Sequence, residues 1–320
     1  MFLKTRPLFL NIHLSSCMLL ANAKHNGREK IVLSYHGGDC IDFTAALQQL
    51  HSSQWGTAAA SRIHALFESG RFEPMLFAEV LEFVEQRNPA DYLLSLADCK
   101  LQAPFARPGQ IIALARNYSV HAKESTLPLP HEPIFFSKAN TSVIGPEESI
   151  VLPPNLGRVE PEIELAFIVK REASHVTAEQ AAHYIAGYTI LNDVSAQELQ
   201  AREIKEHYPL FRCKSLRTFT PMGPWLATVD EIGTAPELAM TLRVNDEVRV
   251  TTNTRGLTFG IARLLEFISG YVLLYPGDVV TTGCPKSAGA IHPGDVVSLE
   301  IEKIGILRNP VVCGKELCPV

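Results

Sequence analysis

Beyond Ile111 the chain is a series of short apolar runs cut by turn residues, and this rhythm constrains the fold more than any other feature. IIALA, PIFF, ELAFIVK, IAGYTIL, MTLRV, DVVTTG and DVVSLEI each have the length of a β-strand. Pro276-Gly277-Asp278 and Pro293-Gly294-Asp295 separate some of them, with glycine supplying the positive φ that a tight turn needs. Helical periodicity is rarer and falls at 177–183, 195–204 and 261–269. Few helices among many short strands predict an α+β, β-rich domain whose strands are mostly antiparallel. The two PGDVV copies are expected to be paired turn-strand units of one sheet system.

Upstream the texture differs. Residues 30–105 read as a small N-terminal α/β domain. IVLSY, the Gly37-Gly38-Asp39 turn and CIDF form a hairpin, and Thr44 is placed to cap a helix running to Leu50. Further amphipathic helices are expected at 61–67 and 74–85. The Pro- and Gly-rich stretch 103–110 marks the boundary with the larger domain, 106–320. Residues 1–29 carry Lys4 and Arg6, then a mildly apolar stretch ending at Ala21-Asn22-Ala23, and no acid precedes Glu29. That layout is shared by export signals and acid-poor transit peptides, so 1–29 is expected to be a leader or a disordered extension outside the fold. The implied compartment is cytoplasmic, or mitochondrial if 1–29 is a transit peptide.

Composition removes several classes of function. Hydrophobic residues make up 46% of the 320, enough for a sizeable core. A net charge of −5 without a basic block argues against nucleic acid as a partner. No apolar run reaches the length that crosses a bilayer. The seven cysteines are scattered and form no CxxC pair, which disfavours a zinc site or disulfide framework and fits a reducing compartment.

Chemistry concentrates in a few segments. In VEPEIELAFIVK, period 2 places Glu162 and Glu164 on one face of a strand and Ile163, Leu165, Phe167 and Val169 on the other. Two anions on one face of an apolar strand repel, and a cation relieves the cost. Oxygen-only ligands select a hard ion, Mg²⁺ or Mn²⁺. The alternative is an edge strand with a solvated acidic face. Asp193 ends the run IAGYTILND where a helix follows, and either completes a three-carboxylate set or caps that helix. His121 and Glu124 are i and i+3 if a helix starts near Ser119, a spacing that suits a general base with its orienting carboxylate or an ordinary surface pair. Lys138 and Lys214 follow apolar or aromatic stretches, and with Arg116 they are candidates to meet an anionic substrate. Thr282 and Gly283 follow a strand at a turn where backbone donors can meet a carboxylate.

Taken in order, these segments resemble the fumarylacetoacetate hydrolase family. The resemblance runs through Asn117-Tyr118, His121 and Glu124, Lys138, Glu162 and Glu164, Asn192-Asp193-Val194-Ser195-Ala196, and Lys214-Ser215. It continues through Pro221-Met222-Gly223-Pro224-Trp225, Asn245-Asp246-Glu247, Pro276-Gly277-Asp278, Thr282-Gly283-Cys284-Pro285 and the closing 305–309, so it spans about 111–312. The family branch it resembles has a small N-terminal segment ahead of the shared domain. The resemblance implies a mixed β-sandwich roll and an Mg²⁺ or Mn²⁺ ion held by residues matching Glu162, Glu164 and Asp193. It implies catalytic roles for His121, Glu124 and Lys214, and substrate contacts for Arg116, Tyr118, Lys138, Gln197 and Thr282. The implied substrate is a small 2-oxo or 1,3-diketo acid, with C–C hydrolysis of an acylpyruvate favoured. Decarboxylation or tautomerisation of an oxaloacetate-type acid is the alternative, and a non-catalytic metabolite-binding relative is a further one. The implied assembly is a homodimer. Departures from the family pattern are Ala115 for Gly, Arg217 for Asp, Asp246 for Gly, Val250 for Gln, Cys284 for Thr, and Lys286-Ser287-Ala288-Gly289 for a Gly-Val-Gly-like end.

Overall fold

The strand Ile163–Val169 is buried along its whole length, and its two faces belong to different cores. Ile163, Leu165, Phe167 and Val169 pack into one apolar layer, while Ala166 and Ile168 pack into another. The computed structural model, which describes residues 18–35, 38–51, 60–118 and 129–315, explains this double burial. The strand lies inside a mixed sheet of twelve strands. Hydrogen-bonded neighbours run in the order Leu93–Ser95, Asp39–Asp42, Arg28–Ser34, Leu19–His25, Thr220–Thr228, Ile185–Asn192, Ile163–Val169, Val279–Thr281, Ile111–Ala115 and Ile134–Lys138.

A second sheet of five strands, Glu247–Asn253, Ala239–Val244, Val296–Ile301, Gly305–Cys313 and Ile150–Leu152, packs on the Phe167 face through Met240, Leu242, Leu299 and Leu307. Helices Phe43–Leu50, Ile63–Glu68 and Pro74–Glu85 contribute Phe43, Ile63, Phe67 and Phe77 to the layer that holds Ala166 and Ile168. The result is the β-rich α+β sandwich expected. Among the described residues no helix is long and apolar enough to cross a membrane.

Antiparallel register assembles the site. Ile163 pairs with Asn192, so the start of one strand meets the end of its neighbour. Glu162 and Asp193, one residue beyond each, are joined by a bond from the Asp193 N–H to the Glu162 carbonyl (2.9 Å). On the opposite side Ala166 pairs with Thr281, which brings Thr282 and Gly283 alongside Leu165 and Glu164. Residues distant in sequence therefore converge by strand pairing alone.

Several expectations change. Residues 19–29 do not form a leader outside the fold. Leu19–His25 is an internal strand bonded to Thr220–Thr228, Arg28–Ser34 and Lys100–Gln102. Leu20 is fully buried on one face, and Ala21 and Ala23 are fully buried on the other. The small side chains that imitate a cleavage site serve close packing instead. Asn22 cross-links this strand to later segments, donating to the carbonyls of Ala103 (3.0 Å) and Pro104 (2.9 Å) and accepting from the Ile63 N–H (2.7 Å). Leu20→Ala is expected to lower stability by about 2–4 kcal/mol in denaturant unfolding, because it opens a cavity between two layers. A leader would tolerate it.

Asp42, not Thr44, caps the first helix, accepting from the Ala45 N–H (2.9 Å). Thr44 instead accepts from the Ile31 N–H (2.9 Å) and donates to the Ala60 carbonyl (3.1 Å). The PGDVV copies enter different sheets, Val279–Thr281 in the large one and Val296–Ile301 in the small one; Val280 and Val297 share one apolar layer, while Val279 reaches the other. The helix expected over 195–204 begins at Gln197, since Ser195–Ala196 first pairs with Val159–Glu160.

Candidate active site

Glu162, Glu164 and Asp193 come together as their spacing and topology require. Each offers a carboxylate oxygen, and the three oxygens lie within 4.8 Å of one another. Glu164 and Asp193 are buried, and Glu162 is partly exposed. Asp193 caps no helix; the helix that follows it starts four residues later and has Ala196 at its N-cap.

Two lysines hold this acidic set. Lys214 Nζ donates to Glu162 Oε2 (2.9 Å) and Asp193 Oδ2 (2.8 Å). Lys138 Nζ donates to Asp193 Oδ1, to the Lys214 carbonyl and to the Phe219 carbonyl (3.2 Å). Burial alone would raise the Asp193 pKa, but Lys138 and Lys214 outweigh it and hold the carboxyl below its ordinary range. Burial also works against the Lys214 ammonium, and there Asp193 and Glu162 prevail and raise its pKa. Glu164 has no lysine. Burial first, then the charges of Asp193 and Glu162, push its pKa well above the ordinary value. Burial does the same to Glu162, against the pull of Lys214.

The cluster fits a divalent ion. Three carboxylates face two ammoniums, which leaves one negative charge in a buried place. Glu164 Oε2 accepts from the Gly283 N–H (2.9 Å), whereas its Oε1 is buried with no hydrogen-bond partner among the described residues. A buried carboxylate oxygen without a donor is costly unless a cation meets it. All donors are oxygens, a set that suits a hard ion better than a thiophilic one. A pH dependence follows. In metal-free protein the raised carboxyls of Glu162 and Glu164 make the folded state the stronger proton binder. Their contribution to stability is complete below the ordinary Glu range and is lost as pH rises through their folded values. An incoming cation displaces that proton. Mn²⁺ affinity is therefore expected to rise, with proton release, as pH increases above the ordinary Glu range. Titration calorimetry in buffers of different ionisation enthalpy measures both, and a pH-independent affinity would contradict the assignment.

Beside the cluster opens a cavity of about 390 Å³. Of the residues expected at the site, Arg116, Gln197, Lys214 and Glu162 line it. Three others are placed differently. Lys138 has spent all three of its N–H donors inside the protein, so it holds Asp193 and the Lys214 segment and has none left for substrate. Tyr118 is fully buried, and its hydroxyl donates to Met240 Sδ (3.4 Å) in the core. Thr282 is buried, and its hydroxyl donates to the Leu165 carbonyl (2.9 Å). The Gly283 N–H, expected to meet a substrate carboxylate, orients Glu164 instead. His121 and Glu124 lie outside the described residues.

Other contributors had no role in the sequence reading. Ser195 donates to Glu162 Oε1 (2.8 Å), and Asn192 Oδ1 accepts from the Glu162 N–H (3.0 Å), so the Asn-Asp-x-Ser-Ala stretch orients Glu162 as well as supplying Asp193. Glu160, Gln200 and Lys286 join the cavity wall. The motif quoted for Asp193 already contained Ser195; its spacing from Glu162 depends on strand register, which the sequence does not display.

Residues 110–312 match the family model for the fumarylacetoacetate (FAA) hydrolase C-terminal domain. The chain belongs to the fumarylacetoacetate hydrolase family. It is 36% identical over 259 residues to human oxaloacetate tautomerase FAHD2A, mitochondrial, covering 75% of this chain and 82% of that protein. An uncharacterised protein of Archaeoglobus fulgidus is 42% identical over 221 residues, covering 69% of this chain and 85% of its own length. The solved maleylpyruvate hydrolase of Sphingobium sp. SYK-6, in complex with manganese(II) and pyruvate, superposes with a TM-score of 0.71 at 28% identity, covering 93% of this chain and 100% of that one. As a member of the fumarylacetoacetate hydrolase family, this chain is an enzyme related to hydrolases, isomerases and tautomerases of small oxo acids.

Some departures from the family pattern have physical explanations. Ala115 is tolerated because the left-handed residue is its neighbour Arg116 (φ 58°), while Ala115 itself stays in a strand. Asn245 and Asp246 (φ 50° and 67°) make the two-residue turn between Val244 and Glu247, a conformation Asp adopts at modest cost. Val250 is buried in the core. Arg217 lies on a separate cleft. Cys284 lines the cavity, and its thiol donates to the Lys286 carbonyl (3.2 Å).

Proposed function

We propose that the chain moves a proton at the carbon next to the carbonyl of a small 2-oxo acid, interconverting the keto and enol forms of an oxaloacetate-type acid. The observation that carries this reading is the convergence of Glu162, Glu164 and Asp193 with Lys214 at the wall of one cavity. Glu162, Glu164 and Asp193 would hold Mg²⁺ or Mn²⁺, which when bound supplies a Lewis acid for the 2-oxo acid end of the substrate. Lys214 directs two N–H donors at the carboxylates and keeps the third for the cavity, where a negative oxygen develops as the proton leaves carbon. Arg116 and Gln197 line the wall and orient the substrate. The family resemblance gives His121, with Glu124 as its partner, the role of the base that would take the proton from carbon and return it to oxygen. The similarity to human oxaloacetate tautomerase over three quarters of the chain supports tautomerisation as the leading reaction.

A second reading is C–C hydrolysis of an acylpyruvate, favoured by the fold shared with maleylpyruvate hydrolase. It uses the same cluster and adds a water activated by His121.

The test follows the ultraviolet decay of enol-oxaloacetate and the products formed from an acylpyruvate panel, with Mg²⁺, with Mn²⁺ and with EDTA. Accelerated ketonisation abolished by EDTA is the expected result. Cleavage of acylpyruvates without ketonisation would select the second reading, and no metal-dependent turnover of either class would overturn both. His121→Ala is expected to lower turnover by about 10²–10⁴-fold while leaving Mn²⁺ uptake intact.

A further inference from the structure

Lys286 falls in the stretch where this chain departs from the family pattern, and it lines the active-site cavity. The loop that carries it is anchored on both sides. The Cys284 thiol donates to the Lys286 carbonyl (3.2 Å), the Ser287 hydroxyl donates to Glu160 Oε2 (2.6 Å), and Ala288 is buried in the core. Glu160 is itself buried and ion-paired with Arg158. The loop is therefore held firmly against the short ribbon that pairs Glu160 with Ser195, two residues from Asp193.

The charges along the cavity wall divide unevenly. Lys214 is matched by Glu162 and Asp193, and Arg158 by Glu160. The Lys286 ammonium has neither an ion pair nor a hydrogen bond to any described residue, although the residue is only partly exposed. It pairs with none of Glu162, Glu164 and Asp193, so it forms a cationic locus separate from Lys214 in the same cavity. An ammonium drawn partly out of water without an anion is disfavoured, and an anionic ligand group offsets that cost. A cavity of about 390 Å³ accommodates a small acid with charge at both ends.

We infer that Lys286 is a specificity-determining residue that binds a second anionic group, at the end of the substrate away from the 2-oxo acid, so that this chain selects 2-oxo diacids over 2-oxo acids with a neutral tail. The inference rests on the proposed oxo-acid chemistry and deepens it. The pair of probes that isolates one charge is oxaloacetate and its 4-methyl monoester, which share the reacting carbons.

Steady-state ketonisation of both is measured on Mn²⁺-loaded wild type, Lys286→Met and Lys286→Arg. Wild type should prefer the diacid in kcat/KM by about tenfold or more. Lys286→Met should remove most of that preference through KM for the diacid rather than through kcat, and Lys286→Arg should retain it. A diacid preference that survives Lys286→Met, or a wild type indifferent to the tail charge, would overturn this inference alone. Absence of turnover of both probes by wild type would overturn the parent reading as well. A general structural role for Lys286 would instead depress both probes together, and that outcome also counts against it.

Discussion

Glu164→Gln should abolish metal-dependent turnover while leaving a folded protein. The substitution is nearly isosteric, and the new amide oxygen can still accept from the Gly283 N–H that holds Glu164 Oε2 in the native chain. The charge count changes decisively. With Glu164 neutral, two carboxylates face two ammoniums, and the electrostatic reason for a dication at this place is gone. If the ion contributes about 4 kcal/mol of transition-state stabilisation, turnover should fall by about 10³-fold. The metal-free variant should also melt higher than metal-free wild type near neutral pH, because a buried like charge has been removed. Mn²⁺ should raise the melting temperature of wild type and leave the variant unmoved. Thermal denaturation with and without Mn²⁺, alongside the kinetic assay, reads all three effects. A variant that retains turnover or the Mn²⁺ response would remove Glu164 from the metal set.

Lys214→Met should damage both stability and turnover, in proportions that separate Lys214 from its neighbours. Its ammonium joins Glu162 to Asp193, so the variant leaves two carboxylates with Lys138 alone beside Asp193. Removing one partner of a buried ion pair typically costs about 3–5 kcal/mol, because the remaining charge stays desolvated. That loss should appear in the metal-free protein and be partly restored by Mn²⁺, which takes over the neutralisation. Turnover should stay depressed by about 10²–10³-fold even at saturating Mn²⁺, since the donor aimed at the developing oxygen charge is missing. Lys138→Met should show the opposite balance, with a large stability loss and a smaller kinetic effect once metal is bound. Its three donors all end on protein oxygens. Equal recovery of turnover by both variants on adding Mn²⁺ would contradict the division of labour between the two lysines.

The strands and the acidic set were legible because they depend on period and composition. Glu162 and Glu164 share a face whenever that stretch is a strand, and the buried apolar residues from Ile163 to Val169 make it one. Helix 74–85 and the strand of residues 111–115 were equally readable from their periodicity. What stayed hidden depends on partners distant in sequence. Lys138 and Lys214 look alike in the chain, and only the carbonyls of Lys214 and Phe219 distinguish a structural lysine from one that faces the cavity. Tyr118 stands in a motif rich in candidate residues, yet its ring belongs to the core. Leu19–His25 misled for the opposite reason. A strand of small residues buried on both faces shows no alternation, and its Ala-Asn-Ala imitates a processing site. Asn22 betrays its role only through bonds to residues 63, 103 and 104.

The most direct test counts the ions that the carboxylates hold. Free Mn²⁺ is followed by electron paramagnetic resonance during titration of the wild type and of the triple variant Glu162→Gln, Glu164→Gln, Asp193→Asn near neutral pH. The account predicts one tightly held ion per wild-type chain and none in the variant. Absence of uptake by wild type, or equal uptake by both proteins, would contradict it.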